Sequence, residues 1–105
     1  MNVLFICNQG MNRSKTAEDI FKHQFNTDSA GLFNNLLTEK QLSWADVVFV
    51  MENFQRSEIG KRFPELYLKK RILVLNIPDI YRYGQPELVE ILKEKVNQAI
   101  HEIAA

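Results

Sequence analysis

Cysteine is nearly absent from this 105-residue chain: there is one, Cys7, and only two histidines, His23 and His101. A single thiol makes no internal disulfide, and two histidines far apart in sequence lack metal-ligand spacing, so no metal site is expected. Net charge is also missing, because 13 basic residues balance 13 acidic ones. No overall field therefore recommends a nucleic acid, an anionic membrane or a polyacidic partner, and any anion must be bound locally. Long apolar runs are lacking too. The N-terminal run Val3-Leu4-Phe5-Ile6 is shorter than the ~7–15 residues of a signal core and has no basic region before it. The expectation is a cytoplasmic protein, residues 1–105 forming one domain, with its oligomeric state open. In a reducing compartment a lone thiol is either an inert small hydrophobe or a reagent.

What is present is a pattern of alternating strands and helices. Asn2–Ile6 is apolar without alternation, as in a strand covered on both faces. Ser14–Phe25 carries Ala17, Ile20, Phe21 and Phe25 at helical spacing. A weak strand, Thr27–Ala30, is ended by Gly31; a loop over Leu32–Asn35 precedes a short helix near Thr38–Leu42, with Thr38 as N-cap. Ala45–Met51 reads as a buried strand, and Asn53–Phe63 as a helix that stops before Pro64. Arg71–Ile77 is the next strand, and Pro86–Ile103 a helix with Leu88, Val89, Leu92, Val96, Ala99, Ile100 and Ile103 on one face. Such alternation implies an α/β fold: a three-layer, doubly wound domain with a four-stranded parallel sheet. Ligands in these sheets bind beyond the carboxyl ends of the strands, where the winding reverses.

Cys7-Asn8-Gln9-Gly10-Met11-Asn12-Arg13-Ser14 falls at that place, between the first strand and the first helix. All eight are candidate phosphate-binding residues. A free thiol, with a pKa of ~8.5, is only a few per cent thiolate at neutral pH, so a cysteine nucleophile needs donors around it. Inward-turned loop N–H groups, the positive end of the helix and the Ser14 hydroxyl can serve. The same donors suit the non-bridging oxygens of a phosphoryl group, and the planar fork of Arg13 can grip two of them. Gly10 lets the chain turn without a side chain in the way, and Asn8 or Asn12 can tolerate left-handed backbone angles or hydrogen-bond neighbouring turns. A cysteinyl-phosphate intermediate needs an acid opposite the sulfur for the leaving group. Asp79, after the fourth strand, is the candidate, with Tyr81 and Tyr83 near enough to line a pocket; Glu52, after the third, is the runner-up. Asp46 begins its strand and faces the opposite edge.

These residues resemble the low-molecular-weight protein tyrosine phosphatases. The likeness runs through Val-Leu-Phe-Ile-Cys7 to Arg13-Ser14, Thr16-Ala17-Glu18, Ser29-Ala30-Gly31, Ala45-Asp46-Val47-Val48 before Met51, and Asp79 followed by Tyr81. It implies that fold, with Cys7 as nucleophile, Arg13 as phosphate ligand, Ser14 as the hydroxyl beside the sulfur and Asp79 as general acid. It also implies a phosphotyrosine-protein or small aryl phosphate substrate, inorganic phosphate as product, no cofactor, and Phe33 and Tyr81 as pocket walls. The family loop usually reads Cys-x-Gly-Asn-x-Cys-Arg-Ser. Here Gln9 and Gly10 stand at its Gly-Asn and Asn12 at its second cysteine, and Asp79 is followed by Ile80 where the family has proline. Three alternatives stay open: a phosphocysteine carrier, which needs neither Arg13 nor Asp79; an arsenate reductase, whose thioredoxin-coupled form uses further cysteines; and a phosphate-binding module without turnover.

Overall fold

The computed structural model describes residues 1–104. They form β1 (Asn2–Cys7), α1 (Arg13–Phe21), β2 (Asn26–Gly31), α2 (Glu39–Trp44), β3 (Val47–Val50), α3 (Asn53–Arg62), α4 (Pro64–Lys69), β4 (Arg71–Val74) and α5 (Pro86–Ala104). The strands make one parallel sheet in the order β2-β1-β3-β4. The chain thus winds outward from β1 in one direction to β2 and in the other to β3 and β4. The reversal, and the crevice it opens, lies between the carboxyl ends of β1 and β3.

The two-residue period of β1 divides the core. Val3, Phe5 and Cys7 join Ala17 and Phe21 of α1, Val47 and Phe49 of β3, and Leu88, Leu92 and Val96 of α5 on one face. Leu4 and Ile6 join Leu42, Val48, Val50, Ile59 and Ile72 on the other. Both faces of β1 are therefore dry, which is why its sequence shows no polar alternation. Phe5 lies at the centre, its ring stacked between Phe21 at 5.9 Å and Phe49 at 5.6 Å. Of the helical stripe expected in the last segment, Leu88, Leu92, Val96, Ala99, Ile100 and Ile103 pack on this first face, with Ile91 there and not Val89, and no helix of the described residues is long and apolar enough to cross a membrane.

Several boundaries differ from those the sequence suggests. The first helix ends at Phe21, where Gln24 and Phe25 amides both turn back to the Phe21 carbonyl. Phe25 still packs on the core, from a turn. β3 and β4 are shorter than Ala45–Met51 and Arg71–Ile77. Beyond β4 the amides of Leu75 and Ile77 continue to bond Val50 and Met51 carbonyls, but between them Asn76 takes a φ of +56°, which breaks the extended ladder. α3 stops ahead of Pro64 as expected, yet Pro64 itself opens α4. A proline costs nothing at the first helical position, where its N–H has no partner to lose. Thr38 caps α2, its hydroxyl accepting from Gln41 N at 3.1 Å while Gln41 Oε1 accepts from Thr38 N at 3.0 Å. Lys70 is half-buried and donates to the carbonyls of Ser43 and Ala45 at 2.8 and 2.7 Å.

Because Phe5 is fully buried between two rings, Phe5→Ala is expected to destabilise the fold by about 3–5 kcal/mol. Urea unfolding followed by circular dichroism measures it.

Candidate active site

Cys7 is the last residue of β1, and the chain turns sharply after it to enter α1 six residues later. The turn is made at Gly10, whose φ is +65°; a side chain there would strike the backbone of Gly31 and Ala30 at 2.8 and 2.9 Å. Neither Asn8 nor Asn12 takes a left-handed angle. Among the described residues the non-glycine ones that do are Asn35 and Asn76, so of the two roles open to the loop asparagines the left-handed one is not used. One turn of backbone now surrounds the sulfur. Gly10 N donates to Cys7 Sγ at 3.2 Å, and Ser14 Oγ lies 3.0 Å from it. Cys7 is buried, but with these polar contacts at its tip.

The loop is braced from outside by the segment after β2. Leu32 N bonds the carbonyls of Cys7 and Asn8, Phe33 N also bonds that of Asn8, and Asn35 Nδ2 donates to Gln9 O at 2.8 Å. Gly31 sits in this contact without room for a single methyl group, since a Cβ would stand 2.1 Å from Asn34 O and 2.6 Å from Gln9 C. Gln9, Met11 and Asn12 are exposed. Asn12 contributes its carbonyl, which accepts from Thr16 Oγ1 at 2.7 Å.

Arg13, the first residue of α1, is 1% exposed. Its Nη1 donates to Glu52 Oε1 at 2.5 Å and to Ile77 O at 2.7 Å, which fixes the guanidinium from the β3 and β4 sides of the crevice. Nε and Nη2 have no hydrogen-bond partner although both are buried. They form one edge of the planar fork, the edge that binds two oxygens of an oxyanion. Asp79, with its side chain 51% exposed, stands at the mouth with Oδ1 3.6 Å from Arg13 Nε. Loop, arginine and aspartate thus meet on one rim, drawn from the ends of β1 and β4.

Glu52 belongs to the site in a different capacity from the runner-up acid the sequence suggests, because its carboxylate is engaged by Arg13. Gln55 escapes sequence reasoning altogether. It is fully buried on the first turn of α3, where its Oε1 accepts from Met51 N at 2.7 Å and Glu52 N at 2.9 Å, and its Nε2 donates to Asn8 Oδ1 at 2.9 Å. A glutamine three residues into a helix reads as a cap, and nothing local marks it as facing another loop. Asp46 lies at the opposite edge as expected, accepting from Asn2 N.

Phe33 is 58% exposed beside the loop, with the Arg62 guanidinium 6.0 Å from its ring centre. Tyr81 is half-buried against the core cluster that contains Cys7 and Met51. The segment after Asp79 is tied to α1, since Gly84 N donates to Thr16 Oγ1 at 3.0 Å and the Tyr83 hydroxyl donates to Asp19. That hydrogen bond, with some desolvation and the Asp19 charge, raises the pKa of Tyr83 above the usual phenol value.

No protein-family model matches the chain, and comparison with curated proteins returns no match. Solved structures do match over nearly its whole length. The tyrosine phosphatase Wzb of Escherichia coli K30, in complex with phosphate, superposes with a TM-score of 0.77 at 17% identity, covering 96% of each chain. A low-molecular-weight protein tyrosine phosphatase of T. tengcongensis gives 0.77 at 20% identity, over 97% of this chain and 99% of that one. The YwlE arginine phosphatase of Geobacillus stearothermophilus gives 0.71 at 20%, over 96% and 94%. The fold is therefore that of these phosphatases.

Two outcomes test this geometry. Gly31→Ala is expected to cost about 3 kcal/mol or more, since the methyl group meets backbone atoms that cannot rotate away; chemical denaturation measures it. In an absorbance titration, one of the three tyrosines should ionise above the ordinary phenol range, and Asp19→Asn should bring it down.

Proposed function

We propose that this chain is a phosphomonoester hydrolase that acts through a cysteinyl phosphate, with phosphotyrosine protein or a small aryl phosphate as substrate. The observation that carries the reading is the buried Arg13 whose Nε and Nη2 are free, on the same rim as a sulfur contacted by the Gly10 amide and the Ser14 hydroxyl. A buried donor without a partner costs about 1–3 kcal/mol, so two on one edge mark a place where an anion belongs. A phosphocarrier has no need of that arginine or of an acid at the mouth. Phosphatases of the same fold, one of them holding phosphate, support the reading.

The substrate's phosphoryl group takes the Nε and Nη2 edge of Arg13 and the loop amides. Its arrival displaces Asp79 from Nε, leaving the carboxyl facing the ester oxygen. Cys7 Sγ attacks phosphorus as the thiolate, the bond from phosphorus to the ester oxygen breaks, and Asp79 gives its proton to that oxygen. Donors on Arg13 and the loop follow the charge on the equatorial oxygens through the transition state. In the second step Asp79 takes a proton from water, the water oxygen attacks phosphorus, and the bond from sulfur to phosphorus breaks. Inorganic phosphate and the starting thiolate result. Ser14 Oγ, 3.0 Å from the sulfur, stabilises it as the leaving group. Phe33, exposed beside Asn8, offers an apolar wall to an aryl ring.

Turnover of para-nitrophenyl phosphate, phosphotyrosine and phosphoarginine, measured against pH, tests the proposal. Cys7→Ser should lower kcat at least ~10⁴-fold. Asp79→Asn should lower it ~10²-fold and flatten the basic limb of the kcat/KM profile. Phosphate release that Cys7→Ser leaves intact would refute the mechanism. Preference for phosphoarginine would reassign the substrate.

A further inference from the structure

The carboxyl of Asp79 is half in solvent on a loop, and a proton donor must be aimed. The structure contains a chain of amides that ends on it. Gln55 Oε1 accepts two main-chain amides, Met51 N and Glu52 N, which can only donate. The orientation of the Gln55 carboxamide is therefore fixed, and its Nε2 must point at Asn8, 2.9 Å from Oδ1. Asn8 is fixed in turn: with Oδ1 accepting, its Nδ2 faces the mouth and lies 3.4 Å from Asp79 Oδ2. The Asn8 carbonyl is held as well, by the amides of Leu32 and Phe33. A buried glutamine whose carboxamide is bonded at both its oxygen and its nitrogen thus dictates which atom of Asn8 the acid meets.

On the reading of Asp79 as the general acid, we infer that Asn8 and Gln55 are positioning residues for it. Asn8 Nδ2 holds Oδ2, so that Oδ1, which borders Arg13 Nε, turns to the ester oxygen when the phosphoryl group takes the arginine. The loop residue after the nucleophile therefore orients the group that protonates the leaving oxygen. Gln55, without touching substrate, selects the polarity of the contact.

The effect is read from leaving-group dependence. Nitrophenolate departs with little help, whereas phenolate, the anion of a phenol with a pKa of ~10, needs the proton. The ratio of kcat/KM for phenyl phosphate to that for para-nitrophenyl phosphate reports the aim of the acid. A general uncoupling of the loop lowers both rates alike and leaves the ratio where it was.

Asn8→Leu removes the donor and is expected to lower the ratio about tenfold, a part of the ~10²–10⁴ that a general acid contributes. Gln55→Glu keeps the oxygen that accepts from Met51 and Glu52 amides but replaces the amide that donates to Asn8. The introduced carboxylate then accepts from Asn8 Nδ2, the Asn8 carboxamide turns over, and its oxygen faces Asp79. The same fall in ratio is expected, with no further fall when the two changes are combined. Asn8→Ser, too short to reach Asp79, serves where Asn8→Leu does not fold. An unchanged ratio in the Asn8 variant, with Asp79→Asn lowering it in parallel, overturns the positioning role and leaves the phosphatase reading standing. Failure of the unaltered protein to hydrolyse either ester overturns both.

Discussion

A guanidinium buried at the first turn of a helix is the constraint on which the site depends. Arg13 cannot give up its charge, so the protein around it must supply anions and carbonyls in its place. Glu52 from the end of β3 and Ile77 O from beyond β4 do so at Nη1, and Asp79 lies nearby at Nε. These partners come from the ends of two neighbouring strands, β3 and β4, and the reversal of winding between β1 and β3 sets them beside the helix that follows β1. Two carboxyl groups, of Glu52 and Asp79, thus border one guanidinium. On the proposed phosphatase reading, a phosphoryl group at the free Nε and Nη2 edge takes the place of the carboxyl that borders Nε. Asp79, exposed and at 3.6 Å, is the one free to leave, whereas Glu52 is held at 2.5 Å on the other side of the fork.

Much of this arrangement was legible in the sequence, for reasons that can be named. β1 is read from a run of apolar residues with no polar break, and both its faces prove to be covered. The stripe of Leu88, Leu92 and Val96 gives α5 directly, and the order of elements gives the parallel sheet. Cys7 and Arg13 are separated by a loop whose two ends are both fixed by regular structure, so their meeting follows from local spacing alone. Asp79 needed one further rule, that strand ends share a rim.

What could not be read depends on contacts between segments far apart in the chain. Gln55 and Asn8 are 47 residues apart, and the local signal of Gln55, a helix cap, is satisfied whether or not its other end touches anything. Glu52 follows a strand as a catalytic acid would, and its pairing with Arg13 emerges only once β3 lies beside β1. α4 was hidden by a rule applied in one direction. Proline ends the helix before it, but the same missing N–H makes it a good first residue for the next. The early end of β4 turns on a single left-handed asparagine inside an apolar run, where periodicity carries no warning.

The loop's departures from the pattern it resembles also acquire a physical reading. The position usually held by asparagine carries Gly10, at φ +65°; asparagine and glycine are the residues that enter this left-handed region most readily, so the exchange preserves the turn. Glycine there also avoids the backbone of Gly31, 2.8 Å from where a Cβ would stand. Gln9, at the position usually held by glycine, points out to solvent and meets the structure through its carbonyl, which Asn35 binds. Asn12, in place of a second cysteine, is likewise exposed and acts through its carbonyl. Thus the two exchanges with outward side chains fall where the backbone does the work, and the third falls where the angle and the narrow space beside Gly31 decide. Cys7, Arg13 and Ser14, whose side chains point inward, are the ones the pattern keeps.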